Sequence, residues 1–162
     1  LDYYYEDNPE KDVQRRAFLK QLELANRLEL PAVLHVRDAY QEVLDLLKGR
    51  KDSLKIDILL HCYSSSKEMV KEFAKLGCYF ALGGVVTFKK AKKEEVILAI
   101  PKDKLLLETD CPYMTPEPFR GKENEPKYIR YVAEKIADVW GESIDEVERI
   151  TNENTKRFYK IK

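Results

Sequence analysis

Only two histidines occur in the chain, His35 and His61, and each directly follows an apolar run, Ala32-Val33-Leu34 in one case and Ile58-Leu59-Leu60 in the other. Asp110 closes a third such run, which begins at Leu105. Two imidazoles and a carboxylate are nitrogen and oxygen donors suited to Zn²⁺, Mn²⁺ or a similar divalent ion. A lone histidine beside an apolar run is more often a hydrogen-bonded core residue than a ligand. Three donors recurring at the ends of such runs shift the balance towards a shared site, and spacing alone carries the argument no further.

The elements that must position these groups read as alternating strands and helices. Asn8 with Pro9 marks a helix start, and Phe18, Leu22, Ala25 and Leu28 then form one apolar stripe ending before Pro31. Residues 32–36 read as a buried strand, and Val43, Leu44 and Leu47 define a helix stopped by Gly49. The cycle repeats with a strand over 56–61, a helix capped by Ser65 and Glu68, a strand over 78–83, a short helix before Pro101 and a strand over 105–110. The tail is helical, with a second capping box at Ser143 and Glu146 and an amphipathic end around Phe158 and Tyr159. Alternation with short connections predicts βα units and a parallel sheet. His35 to His61 is 26 residues and His61 to Asp110 is 49, one step and nearly two of such a repeat. Side chains at the C-terminal strand ends of parallel barrels converge on one mouth, where these three donors would meet.

The composition is compatible with a single domain over residues 1–162. The chain is 44% hydrophobic and 36% charged, with 29 basic and 29 acidic residues. Zero net charge gives no global attraction to nucleic acid, so a phosphate substrate would have to be held locally. Cys62, Cys78 and Cys111 form no C-x-x-C pair and read as reduced thiols. No apolar stretch approaches the roughly 20 residues of a membrane span, no signal-peptide pattern opens the chain, and the expected location is cytoplasmic.

Local motifs extend this reading. Pro31 to Ala39 resembles the P-x-x-x-H-x-R-D-A strand motif of the TatD-like metal-dependent hydrolases, and Leu60-His61-Cys62-Tyr63-Ser64 resembles their L-H-C-[FY]-[ST] segment. Glu108-Thr109-Asp110-Cys111-Pro112-Tyr113 is similar to the E-T-D-x-P-[YFW] signature, Asn124-Glu125-Pro126 to the downstream N-E-P, and Leu1-Asp2-Tyr3 to the end of G-E-x-G-L-D-Y. The blocks stand in family order across the chain.

The resemblance implies a TIM-type (β/α)₈ metallo-hydrolase barrel that hydrolyses DNA phosphodiester bonds with Mg²⁺, Mn²⁺ or Zn²⁺, in several members as a 3′-to-5′ exonuclease. It implies that His35 and His61 share one ion of a two-metal site, while Asp110 binds the other and orients or deprotonates the attacking water. Arg37 could hold a phosphate, or with Asp38 brace the loop. Arg120 and Lys122 could grip a DNA or RNA backbone, or be solvated loop charges. Tyr63 and Tyr113 could stack on bases or be core aromatics, and the Lys89 to Lys93 run reads as an exposed face.

The sequence departs from the family pattern at two points: no H-x-H occurs in it, and the bridging Glu of G-E-x-G-L-D-Y is not among its residues. A complete barrel takes about 250 residues. The expectation is therefore the C-terminal portion of such a barrel, inactive or weakly active alone, with open strand edges that favour self-association or pairing with an N-terminal half. The rival readings are another amidohydrolase-type barrel hydrolase and a non-catalytic fragment or subunit.

Overall fold

A computed structural model describes residues 1–161. The order is α1 (Lys11–Arg27), β1 (Ala32–His35), α2 (Tyr40–Lys48), β2 (Ile58–His61), α3 (Lys67–Lys75), β3 (Tyr79–Leu82), α4 (Glu94–Ala99), β4 (Leu105–Leu107), α5 (Ile129–Trp140) and α6 (Ile144–Tyr159). The four strands form one parallel sheet in the order β1-β2-β3-β4. Before α1, residue 2 adds an isolated parallel bridge to Arg37, so the chain end lies alongside the extension of β1. Among the described residues no helix is long and apolar enough to cross a membrane.

Both faces of the sheet are covered at β2, β3 and β4, which is why these strands read as unbroken apolar runs, while Val33 on the inner face of β1 is half exposed. Leu34, Leu60, Phe80, Leu82 and Leu105 face the helix layer, where they join Val43, Leu47, Val70, Phe73, Val96 and Ile136. The alternate residues Leu59, Tyr79, Ala81 and Leu106 point the other way, and Phe158 of α6 packs onto them. The Phe158 ring lies 5.2 Å from that of Tyr79, so α6 seals this inner face over the early part of the strands. Because side chains alternate along a strand, His35 and His61 fall on this inner face, one step beyond its apolar layer.

Several local expectations shift. Asn8 does not cap α1: its amide turns back to the Asp2 carbonyl at 2.9 Å, and Glu10 holds the cap position without a side-chain bond. The cap of α3 is Ser66 rather than Ser65, its hydroxyl accepting from the Met69 amide. Ser143 caps α6 as expected by accepting from the Glu146 amide at 3.1 Å, whereas the Glu146 carboxylate pairs with Arg149 instead of closing a reciprocal box. Leu28 falls outside the apolar stripe of α1 and is exposed. Each strand is shorter than the span expected for it. Asp110 in particular lies three residues beyond β4, on a loop, with φ 57°.

Candidate active site

β1 and β2 pair in a register that sets His35 directly beside His61, and the ring centroids are 6.2 Å apart. The two imidazoles thus leave the same end and the same face of neighbouring strands. Asp110 reaches them from beyond β4, with Oδ1 3.5 Å from His61 Nε2. All three donors named from the sequence therefore lie at the C-terminal end of the sheet, with His61 next to each of the other two.

Glu108, whose role the sequence reading left open, organises the centre. Its Oε2 accepts from His61 Nδ1 at 2.6 Å and its Oε1 from the Cys62 amide at 2.6 Å. The carboxylate comes from β4 and crosses β3 to reach β2. Gly83 flanks that crossing: a Cβ there would approach Glu108 Cγ to 3.4 Å and its carbonyl oxygen to 3.3 Å. An ionised carboxylate can only accept, so the proton of a neutral His61 resides on Nδ1 and its lone pair on Nε2. The hydrogen bond to Glu108 is also the main cause that raises the His61 pKa, against the lowering effect of burial.

That tautomer leaves two acceptors, His61 Nε2 and Asp110 Oδ1, facing each other at 3.5 Å. Such an arrangement is favourable only with a proton or a cation between them, which is the chemistry of a metal-binding donor pair. A carboxylate on the remote nitrogen of a ligating histidine is also the usual support for a metal centre. On the β1 side, Asp2 Oδ2 lies 2.9 Å from His35 Nε2. The donors contact one another in pairs, and among the described residues no group of three or more His, Cys, Asp or Glu side chains forms a cluster that could hold an ion. The residues thus fit a divalent ion in donor type, with His61 and Asp110 also opposed in orientation, as a partial shell.

The loops carrying these groups are held in uncommon conformations. Asp38, Cys62, Asp110 and Met114 all have positive φ, which non-glycine residues adopt rarely and mostly where the surroundings enforce it. Asn124 supplies part of that enforcement. It is buried, and its Nδ2 donates to the carbonyls of Thr109 at 2.7 Å and Tyr113 at 2.6 Å, clamping both sides of Asp110. Gly84 allows the same loop to close down, because a Cβ there would lie 1.8 Å from the Met114 carbonyl oxygen.

The remaining expected residues divide. Tyr63 is a correction: it is 4% exposed, its ring packs edge-on to Tyr40 and Phe80, and its hydroxyl donates to the Ser66 carbonyl. It is a core aromatic and offers no face to a base. Tyr113 beside Asp110 is 71% exposed. Arg37 packs on Tyr4 and Tyr5. Arg120 and Lys122 are exposed, with the Arg120 guanidinium stacked 3.7 Å over Phe88. Lys93 departs from the exposed face expected of the lysine run: its Nζ donates to the Ser64 carbonyl at 2.7 Å, and burial lowers its pKa. A cavity of about 550 Å³ between α1 and β1 reaches Asp2 and His35.

A parallel sheet with outer helices, gathering imidazoles and carboxylates at its C-terminal edge, is the TIM-barrel-like class of α/β fold. Within that class the chain belongs to the TatD related DNase family, whose model matches residues 1–160. A Bacillus subtilis relative, the uncharacterized metal-dependent hydrolase YabD, is 45% identical over 99% of this chain and 63% of its own length. The uncharacterized metal-dependent hydrolase YcfH of Escherichia coli is 36% identical over 99% of this chain and 60% of its own. The crystal structure of YjjV, a TatD homologue from Escherichia coli K12, superposes with a TM-score of 0.91 at 30% identity, covering all of this chain and 62% of that one. An uncharacterized amidohydrolase from Saccharomyces cerevisiae shares the fold at a TM-score of 0.84 and 17% identity, over 98% of this chain and 63% of that one. The chain spans about three-fifths of the length of these relatives. Matches taking in 99% of the chain do not by themselves support the expectation of a truncated portion.

Proposed function

We propose that the protein is a metal-dependent hydrolase of phosphodiester bonds in DNA, acting from strand ends in the 3′-to-5′ sense, with RNA as the related alternative substrate. The observation that carries this reading is the opposition of His61 Nε2 and Asp110 Oδ1 beside His35, with Glu108 fixing the imidazole from behind. His61 and Asp110, with His35 beside them, are the donors that would serve a divalent ion, Mg²⁺, Mn²⁺ or Zn²⁺. Bound there, it would supply Lewis-acid stabilisation of phosphoryl charge and lower the pKa of water near neutrality.

The chain's own groups then have separate tasks. Asp110, a third exposed and at the mouth, accepts the proton of the attacking water. Glu108 keeps the His61 ring in one tautomer and stabilises the positive charge it shares with the site. Arg37, Arg120 and Lys122 supply the local positive charge that a neutral chain lacks globally. Self-association through the open edge of β1, where Val33 is half exposed, belongs to the same reading, as does a cytoplasmic location.

Because the donor shell is partial, the 162-residue chain should bind Mn²⁺ and hydrolyse end-labelled single-stranded DNA weakly. Calorimetric titration with Mn²⁺ and a gel assay test this. His61→Ala and Asp110→Asn should each abolish both signals, and a chelator should abolish cleavage. Hydrolysis that survives chelation, or ion binding indifferent to both substitutions, would refute the reading.

A further inference from the structure

Arg37 follows His35 by two residues, and the extended pairing continues to it through the bridge with Asp2. Val36 between them is buried, so His35 and Arg37 project on the same side. Arg37 therefore stands one step further out along the mouth than the first imidazole. Its guanidinium lies 3.5 Å from the ring centroid of Tyr4 and 5.0 Å from that of Tyr5, and Nη1 donates to the Tyr5 hydroxyl at 3.0 Å.

The two tyrosines meet edge to face at 4.9 Å and remain 55% and 51% exposed. They are tied to the centre by a single carboxylate: Asp2 Oδ1 accepts from the Tyr4 amide at 3.0 Å, while Oδ2 contacts His35 Nε2. Among the described residues nothing accepts a hydrogen bond from Arg37 Nε or Nη2. A cation with unused N–H groups, set between two exposed aromatic rings, offers a phosphate grip and a stacking surface together. For stability alone, an exposed cation–π contact contributes only about 0.5–1 kcal/mol.

We propose that Tyr4, Tyr5 and Arg37 form the subsite for the nucleoside next to the scissile phosphate of a single-stranded or frayed nucleic-acid end, the base stacking on the tyrosine rings and the guanidinium holding the adjoining phosphate. The proposal rests on the phosphodiesterase reading above and adds to it the residues that hold the substrate end. A stacking platform needs an unpaired base, since paired bases in a duplex present only their edges. Recognition by stacking is also indifferent to which base is present.

Fluorescence anisotropy with labelled (dT)₈ and a matched abasic octamer, in Mn²⁺, tests it on the full 162-residue chain. Tyr4→Ala/Tyr5→Ala should weaken binding of (dT)₈ by roughly five- to a hundredfold, the range for loss of base stacking, and leave abasic binding within about twofold. Tyr4→Phe/Tyr5→Phe keeps the rings and should bind (dT)₈ as the unaltered chain does. Arg37→Met should weaken both oligomers. Equal losses on the two oligomers, or no loss on (dT)₈, overturns the subsite and leaves the hydrolase reading standing. Failure of the unaltered chain to bind either oligomer overturns both.

Discussion

Glu108 shows at the level of single residues what a sequence reveals and what it conceals. His35, His61 and Asp110 stand out as candidate donors because rare side chains of the right chemistry follow apolar runs at regular intervals. Glu108 sits in the same motif, yet a carboxylate at the end of a strand looks like any solvated charge. Its partner is 47 positions away and reached across an intervening strand. Tyr63 fails in the opposite sense: its neighbours His61 and Ser64 suggest a site, and only packing shows the ring turned inward. Glu108→Gln tests the first point. A carboxamide can accept from His61 or from the Cys62 amide, but its own N–H₂ must then oppose the other donor. We expect Mn²⁺ affinity to fall about 10- to 100-fold with little change in the far-ultraviolet spectrum. An unchanged titration would show that the imidazole needs no support from behind.

Among the elements, the loop after β4 depends on residues remote from it in the sequence. Asn124 occupies two carbonyls of that loop, and Gly84 leaves the space into which it folds. Asn124→Ala would strand both carbonyls, at about 1–3 kcal/mol for each buried group left without a partner. A urea melt should register that loss, and Mn²⁺ affinity should fall with it because Asp110 loses its anchor. Element type was legible throughout, since periodicity and length separate helix from strand. Ends were less so: Ser65 and Ser66 are equally good caps by type, and only backbone geometry selects the second. β2 stops at His61, where Cys62 at positive φ takes the chain out of the ladder, and β4 stops three residues short of Asp110, which also has positive φ, features that no residue type at those positions announces.

At the level of the whole molecule, the parallel βα order followed directly from the pattern, while the face taken by each strand residue did not. Continuous runs such as Ile58-Leu59-Leu60 conceal which residues face the helices and which face α6. Phe158 decides this, being fully buried against Leu59, Tyr79, Ala81 and Leu106. Phe158→Ala should destabilise the fold by about 3–5 kcal/mol, read from the denaturation midpoint. A cost below 1 kcal/mol would mean that α6 is dispensable to the inner face.

Both nitrogens of the His61 ring are answered from a single tripeptide, Nδ1 by Glu108 and Nε2 by Asp110, with Thr109 between. The pair His61-Cys62 and the triplet Glu108-Thr109-Asp110 therefore behave as one indivisible cassette. Lengthening or shortening the triplet by one residue leaves Glu108 at the end of β4 and carries Asp110 away from Nε2, and anyone grafting this centre onto another scaffold must carry the two segments, and the glycine lane between them, as a unit.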